Sequence, residues 1–278
     1  MRKRLERDGF VVARGLLRPS ELERLRVSLR NHFRRRWLEC DCGKVQQHGA
    51  VAAADIGWLF AHPGILAAVR EALGREDIVF TGNCDLHRNK LGNWHKDMGR
   101  VHGGAIAGDV HDKEECRVVK VGVYLQDQRE EAGCFRASPG THREESPVPG
   151  EVRSVPTQLG DVVIFDVRLT HAGMLPDPVE RLIWRGARFA SPAGRERAMG
   201  RWMKEVWWRM MRKPERMAAF FTFGAPNAYT DEFARNNLRY LSEAGIPDSS
   251  LPLPQELVQS LEREGVQVFG GVLGRGTA

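Results

Sequence analysis

The sequence predicts a mixed α+β fold in which a strand-rich region forms a barrel or a two-sheet jelly roll, with helices on either side. Short strand candidates separated by Gly- or Pro-bearing turns run through residues 78–190, and helical patterns occupy both ends of the chain. No Gly-rich strand-to-helix motif is present, so the sequence gives no support for a Rossmann or P-loop fold. We therefore expect a mainly β core flanked by helices.

The composition is that of a globular protein. Of the 278 residues, 42% are hydrophobic and 28% are charged. No stretch approaches the roughly 18 apolar residues of a membrane span, and the N-terminus lacks the apolar run of a secretory signal. The five cysteines are too few for a disulfide framework in a chain of this length. We expect a protein that resides in the reducing cytoplasm and does not contact membranes.

The net charge of +6 invites a nucleic-acid interpretation, but its distribution argues against one. The basic excess lies in residues 1–40 and 195–217, on helical segments outside the strand-rich region. No zinc-finger, RRM or helix-turn-helix pattern accompanies it. The charge therefore indicates a solvated helix surface or a docking face, and a nucleic-acid partner is not expected.

The N-terminal elements follow from local signals. Residues 9–12 read as a short strand, and leucines at helical spacing after Pro19 predict a helix up to Phe33. A second helix is predicted over residues 63–73, with Gly74 as its C-terminal stop.

The strand-rich region is followed by a segment with helical periodicity. The clearest strand candidates are residues 78–81, 84–89, 118–125, 160–167 and 181–190. Beyond them, residues 195–212 carry a stripe of Met, Trp and Val at spacings of three and four, and residues 231–244 form a further helix. We expect residues 1–192 to form the core with its N-terminal helices, and residues 193–278 to form a helical extension packed on it in a single structural domain. The stripe is expected to pack on the core or on a second copy in a homodimer, and a cap over the substrate is the alternative.

A His-x-Asp pair supplies the first chemical signal. Residues two apart on a strand face the same side, so His95 and Asp97 converge while Lys96 points away. A second histidine would complete a 2-His-1-carboxylate site for non-haem Fe(II). His171 stands at the far end of the apolar strand 160–167 and is a candidate for that ligand.

An arginine follows the second histidine at short range. Arg181 lies ten residues after His171 and opens the predicted strand 181–190, so the two side chains would be neighbours on adjacent strands. A guanidinium there would bind a carboxylate through two hydrogen bonds close to the metal. Arg185 is the competing choice and Arg188 the third.

Several motifs occur together in a familiar order. They are Asp8-Gly9-Phe10-Val11-Val12, Trp94-His95-Lys96-Asp97, Gly133-Cys134-Phe135-Arg136, Pro139-Gly140-Thr141-His142, Gly160-Asp161-Val162-Val163-Ile164-Phe165, His171-Ala172-Gly173 and Arg181. In this the chain resembles the phytanoyl-CoA dioxygenase family of Fe(II)/2-oxoglutarate-dependent oxygenases over roughly residues 8–190. The resemblance implies a double-stranded β-helix (cupin-like jelly roll) and iron held by His95, Asp97 and His171. It also implies that Arg181 grips the distal carboxylate of 2-oxoglutarate.

The same resemblance implies an O₂-dependent dioxygenase that hydroxylates a small-molecule metabolite or biosynthetic intermediate and releases succinate and CO₂. The metal carboxylate Asp97 is present, whereas related halogenases replace it by a small residue, so oxygenation is favoured over halogenation. Desaturation, ring formation or another oxidation is an alternative outcome. A non-catalytic cupin-like binding or regulatory protein is the other alternative, although such a relative should have lost a ligand or the arginine.

One departure from the family affects the cosubstrate site. The family often has Ser two residues after the distal histidine, where this chain has Gly173. Lys120 or Tyr124, on the non-core face of the predicted strand 118–125, is expected to supply the missing donor to the cosubstrate. Exposed strand residues are the plainer interpretation of both.

Further residues near the metal motif are candidates for binding. Polar residues alternate along the strand 83–89, where Asn89 is predicted to contact the cosubstrate and His87 the substrate, unless that face is solvated. Trp94 and His102 are predicted substrate contacts, and the Gly-rich segment 98–115 is a candidate lid. The pair Cys40 and Cys42 with His48 is only a weak zinc motif.

Overall fold

The computed structural model describes residues 1–35, 38–40, 43–90, 92–98, 113, 115–128, 134–146, 148–173, 176–189 and 195–273. The α-helices are α1 (Arg2–Asp8), α2 (Pro19–Arg35), α3 (Gly49–Ala52), α4 (Gly57–Phe60), α5 (Pro63–Leu73), α6 (Pro178–Phe189), α7 (Arg195–Met210), α8 (Ala228–Glu243) and α9 (Gln255–Arg263). The strands are β1 (Phe10–Ala13), β2 (Leu38–Cys40), β3 (Gly43–Gln46), β4 (Ile78–Arg88), β5 (Val118–Tyr124), β6 (Phe135–Ala137), β7 (Arg153–Val155), β8 (Val162–Asp166), β9 (His171–Ala172), β10 (Met217–Gly224) and β11 (Val266–Val268).

The larger of two sheets separates the core from the site. Within the described residues its order is β1-β8-β5-β10-β4-β3-β2, with β11 added in parallel to β4. On β5, Val119, Val121 and Val123 point into the main hydrophobic core, where α2 and α5 also bury their apolar faces. The alternate residues Lys120 and Tyr124 point to the opposite face, which is the face that carries the site.

The smaller sheet completes a two-sheet jelly roll. In the described part of the chain its order is β7-β6-β9, and the segment around His95 joins it by an antiparallel bridge to His171. The two sheets thereby form the double-stranded β-helix expected from the sequence, with helices flanking it.

Most N-terminal and central elements match their predictions. The helices α2 and α5 begin and end close to the predicted residues, and Gly74 closes α5 with a φ of 68°. The two strands predicted at 78–81 and 84–89 form one strand, β4. Gly82, with a φ of 81°, lies where the register of β4 with β10 shifts, and this bulge explains the apparent break in the sequence pattern.

The prediction of a purely helical segment after residue 192 was wrong. That segment contains β10, which pairs with β5 on one side and β4 on the other, in the middle of the large sheet. The core of the jelly roll is therefore incomplete without residues 217–224, and residues 193–278 are not only a helical addition to it.

The strand predicted over residues 181–190 was also wrong. Residues 181–189 belong to helix α6. Its start is fixed by a reciprocal capping pair, in which the backbone N–H of Glu180 donates to Asp177 Oδ1 (2.7 Å) and that of Asp177 donates to Glu180 Oε2 (2.8 Å). Pro178 stands at the first helical position, where its missing N–H costs nothing.

Helix α7 forms where predicted, but it packs by a different face. Its buried residues include Lys204 and Trp208, whereas Trp202 is 64% exposed and Met210 is 73% exposed. The predicted Met/Trp stripe is therefore not a buried core face over these residues, and its role in a homodimer stays a prediction. Within the described residues, no helix has the length and apolar character needed to traverse a bilayer.

Candidate metal centre and cosubstrate site

His95 and His171 are held side by side by their backbones. The N–H of His95 donates to the carbonyl of His171 (3.0 Å), and the N–H of His171 donates to that of His95 (2.9 Å). The two imidazole centroids lie 4.3 Å apart. Asp97 follows two residues after His95, so its carboxylate lies on the same side as predicted.

Lys96 points away from the metal ligands and anchors their segment. Its Nζ, on a residue only 5% exposed, donates to the carbonyls of Thr141 and Arg168, the latter at 2.7 Å. Burial lowers the pKa of Lys96 to about 8. The segment that presents His95 and Asp97 is thus fixed to the turns that present His171.

The turn before His171 is held by buried polar contacts. Arg168 forms a two-pronged ion pair with Asp166 (2.9 and 2.7 Å), and the N–H of Thr170 donates to Thr141 Oγ1 (3.0 Å). The hydroxyl at position 141 therefore has a structural role.

The N-terminal motif packs against the same turn. A Cβ on Gly9, whose φ is +79°, would lie 2.7 Å from His142 Nδ1 and 2.8 Å from Leu169 Cδ1. Only glycine fits this approach without strain. Two motifs that are far apart in the sequence thus meet directly behind the metal site.

The three candidate ligands converge on one point. His95 Nε2 lies 3.6 Å from Asp97 Oδ1, and His171 Nε2 lies 3.7 Å from Asp97 Oδ2. Each histidine Nδ1 is within hydrogen-bond distance of a backbone carbonyl, that of Asn93 (2.7 Å) or Leu169 (3.0 Å), which leaves both Nε2 atoms as ligands. Asp97 Oδ2 is buried and has no hydrogen-bond partner among the described residues. This donor set fits a divalent iron, and the three residues are the metal-ligand group found in the described part of the chain.

The protonation states suit metal binding. Burial lowers the pKa of His171 to about 3, with a further contribution from His95, so the ring is neutral. Burial opposes ionisation of Asp97, but Lys120 and the two histidines outweigh it and hold the pKa of Asp97 well below its usual range. The site therefore presents a neutral imidazole at His171 and a carboxylate at Asp97.

Apolar rings enclose the buried histidine. Phe165 lies 4.6 Å and Phe135 lies 5.5 Å from the ring of His171, measured between centroids. These rings exclude water from one side of the metal position.

The large sheet contributes a polar wall beside the metal ligands. Lys120 Nζ lies 3.2 Å from Asp97 Oδ1 and 3.4 Å from Asp85 Oδ2. Tyr124 is buried on the same face, and burial raises the pKa of its phenol. Phe220 of β10 lies between them, with its ring centroid 5.7 Å from that of Tyr124. Lys120 and Tyr124 thus face the site, as expected.

The other predicted binding residues divide into three groups. His87 lies on the site face with its ring 4.9 Å from Phe220, and burial, followed by Lys90 and Lys120, lowers its pKa well below the usual range. Trp94 is half-buried beside His95. His102 and nearly all of the candidate lid, like Cys42 of the zinc motif, lie outside the described residues.

Arg181 does not lie on a strand next to His171. It is exposed on helix α6, as is Arg185, and Arg188 belongs to the same helix. The segment is helical because the capping pair Asp177 and Glu180 starts a helix there. The assignment of Arg181 to the cosubstrate carboxylate thereby loses the strand on which it rested.

The structure brings a different arginine to the site. Arg216 directly precedes β10 and shares the face of Ala218 and Phe220. Ala218 pairs with Tyr124, so Arg216 lies one step beyond the phenol. Burial lowers the pKa of its guanidinium, and among the ionisable groups Tyr124 opposes this lowering most strongly. The sequence did contain a signal for this strand: the aromatic run 217–224 stands between Pro214 and Pro226, and Arg216 directly precedes it.

Asn89 is bound to the backbone of that arginine. Its N–H donates to the carbonyl of Arg216 (2.8 Å), and its Oδ1 accepts from the N–H of Arg216 (2.9 Å). The side-chain oxygen of Asn89 is therefore used to position Arg216, whereas a direct cosubstrate contact was expected.

Comparison with known proteins agrees with this geometry. The family model for phytanoyl-CoA dioxygenase (PhyH) matches residues 5–174, more than half of the chain. The match ends just after the distal histidine, before α6, α7 and β10. No curated protein sequence matches the chain.

Solved structures share the fold at low sequence identity. The 2-oxoglutarate-dependent epimerase SnoN from nogalamycin biosynthesis is 16% identical, with a TM-score of 0.55, over 82% of this chain and 86% of that one. HygX from Streptomyces hygroscopicus, crystallised with nickel, 2-oxoglutarate and hygromycin B, is 17% identical, with a TM-score of 0.52, over 81% and 88%. The carbocyclase SnoK is 15% identical, with a TM-score of 0.55, over 80% and 82%.

Proposed function

Because this chain belongs to the phytanoyl-CoA dioxygenase family, and so to the Fe(II)/2-oxoglutarate-dependent oxygenases, we propose that it hydroxylates a small-molecule metabolite or natural-product intermediate. The observation that carries the proposal is the convergence of His95, Asp97 and His171, with the buried Asp97 Oδ2 left without a hydrogen-bond partner among the described residues. Every ligand needed for the metal is present, which disfavours a non-catalytic binding protein.

The residues of the chain have separate roles in this reaction. Bound Fe(II) with 2-oxoglutarate supplies the oxidising chemistry, in which O₂ and decarboxylation of the cosubstrate drive oxidation of the substrate. His95 and His171 are oriented by the carbonyls at their Nδ1 atoms, so they offer Nε2 without rearrangement. The rings of Phe135 and Phe165 exclude water from the buried side.

The cosubstrate is proposed to lie along β5 and β10. Arg216 binds its distal carboxylate, and Tyr124 donates the hydrogen bond that Ser supplies in many relatives. A Cβ at Gly173 would lie 3.9 Å from Gly92 Cα, an ordinary van der Waals contact, so the absence of Ser does not reflect a lack of space.

The wall beyond the metal favours a polar substrate. Lys120, Asp85 and His87 all face this side, where an alkyl chain would remove water from their polar groups without offering hydrogen bonds in return. The solved neighbours that act in nogalamycin biosynthesis or bind hygromycin B support a natural-product substrate. Hydroxylation is favoured over halogenation because Asp97 provides the carboxylate ligand to the metal. The second candidate is another oxidation, since an epimerase and a carbocyclase are among the solved neighbours.

An anaerobic titration with Fe(II) and 2-oxoglutarate tests the proposal. The wild-type protein should develop the weak visible band of an iron–2-oxoglutarate chelate. His95→Ala and Asp97→Ala should abolish the band, and the exposed Asp55→Ala should retain it. The proposal is wrong if wild type gives no band and metal analysis finds no bound iron. Succinate release across a panel of polar metabolites then identifies the substrate.

A further inference from the structure

Helix α7 buries a lysine against the cosubstrate side of the sheet. Lys204 is 7% exposed, and its Nζ donates to the backbone carbonyl of Asn89 at 2.5 Å. The same ammonium lies 4.6 Å above the ring of Trp208. Burying an ammonium costs free energy unless such contacts offset the loss of water. The side chain of Lys204 is therefore held at these two partners.

Asn89 connects this lysine to Arg216. The residue has a φ of 54°, a left-handed conformation that asparagine tolerates better than most residues. Its N–H and its Oδ1 bond both backbone polar groups of Arg216, and its carbonyl accepts from Lys204. Lys204 is therefore linked to Arg216 through Asn89, which follows β4 and lies beside the start of β10.

The other end of the helix pair is tied to the same region. Glu180 of α6 is 3% exposed and accepts from the Trp208 indole N–H and from Lys213 Nζ (3.2 Å). Lys213 also donates to Asp177 Oδ2 at 2.5 Å. Because Lys213 lies just before Arg216, α6, α7 and the start of β10 form one connected unit.

We propose that Lys204 is a positioning residue for the cosubstrate arginine, so that 2-oxoglutarate binding and the packing of α6 and α7 are coupled. This inference rests on the proposed function, because it requires Arg216 to bind the cosubstrate. The contacts seen for Lys204 are with the Asn89 carbonyl and the Trp208 ring, and neither residue is a metal ligand. Its effect is exerted through the Asn89 turn, which sets the direction of the Arg216 side chain.

Coupling of this kind is reciprocal. If the contact between Lys204 and Asn89 strengthens 2-oxoglutarate binding, then bound 2-oxoglutarate must stabilise that contact by the same factor. The α6–α7 pair should therefore become more ordered when the cosubstrate binds, although it lies outside the metal triad.

The test compares Lys204→Met with the exposed Arg209→Met of the same helix. With nickel-loaded protein under calorimetry, the Kd for 2-oxoglutarate should rise about 3- to 10-fold in Lys204→Met. This is less than the full strength of a hydrogen bond from a charged donor, because the contact acts on Arg216 only through Asn89. The Kd should not change in Arg209→Met. The Kd for nickel alone should be the same in both variants and in wild type. With a substrate in hand, KM for 2-oxoglutarate should rise while kcat is kept.

Two further measurements separate positioning from simple stabilisation. The increase in Tm caused by 2-oxoglutarate should be smaller in Lys204→Met than in wild type, whereas a purely structural role would lower Tm equally with and without the cosubstrate. Hydrogen exchange of wild type should slow across residues 178–210 when 2-oxoglutarate binds nickel-loaded protein. That experiment decides the matter even if Lys204→Met fails to fold.

The outcomes also distinguish the two proposals. No binding of 2-oxoglutarate to metal-loaded wild type would overturn the proposed function. Normal wild-type binding with an unchanged Kd in Lys204→Met, or with no protection of residues 178–210, would overturn the coupling alone.

Discussion

Replacement of Arg216 by alanine removes the guanidinium that faces the site next to Tyr124. In our proposal this group pairs with the distal carboxylate of 2-oxoglutarate away from bulk water. Removing one partner of a buried ion pair costs about 3–5 kcal/mol, and about 1.4 kcal/mol corresponds to a tenfold change in Kd. Because Arg216 is largely but not completely buried, we take the lower end and expect a loss of roughly 100-fold in 2-oxoglutarate affinity.

Calorimetric titration of metal-loaded protein measures this loss directly. Arg216→Lys keeps the charge without the two-pronged geometry, so it should fall between wild type and Arg216→Ala. The matched control is Arg181→Ala, which removes an exposed arginine of α6 and should change Kd by less than about twofold. If Arg181→Ala loses 2-oxoglutarate affinity strongly and Arg216→Ala binds normally, the assignment of Arg216 to the distal carboxylate is wrong.

Three further predictions address the frame around the site. Gly9→Ala should lower the free energy of unfolding by about 2–4 kcal/mol in a denaturant titration, since left-handed strain of ~1–2 kcal/mol adds to overpacking against His142. The control is Gly15→Ala, where φ is +61° and no atom lies within 4 Å of the new Cβ. It should lose only the strain contribution in the same titration. Lys96→Met should cost about 1–3 kcal/mol of stability and weaken nickel binding, because two buried carbonyls lose their donor. Tyr124→Phe should weaken 2-oxoglutarate binding about 2- to 10-fold. Adding Gly173→Ser to this variant should restore part of the lost affinity. If it restores none, the hydrogen bond assigned to the Tyr124 hydroxyl comes from another residue.

The metal centre could be predicted from the sequence because its information is local. Strand alternation alone places His95 and Asp97 on one side and Lys96 on the other. His171 could be identified because it follows the strongly apolar strand β8 in a recognisable order of motifs. The structure brings these residues together as the sequence implied.

The cosubstrate end could not be predicted in the same way because it depends on long-range pairing. A fixed spacing of ten residues after His171 led to Arg181, although the capping pair Asp177 and Glu180 is a helix signal. The strand that follows the proposed cosubstrate arginine, Arg216, lies beyond helices α6 and α7, in a segment whose overall pattern is helical. Its place between β4 and β5 is set by cross-strand partners that no local window contains.

Helices α6 and α7 form the connection between β9 and β10. β9 belongs to the small sheet and β10 to the large one, and the register of β10 is fixed by β4 and β5, whatever precedes it. The length of this connection therefore does not set the positions of His171 and the rest of the triad. The two helices meet the sheet next to Arg216 through the contact of Lys204 with Asn89. Any effect of these helices on catalysis should therefore be seen in cosubstrate binding and not in metal affinity.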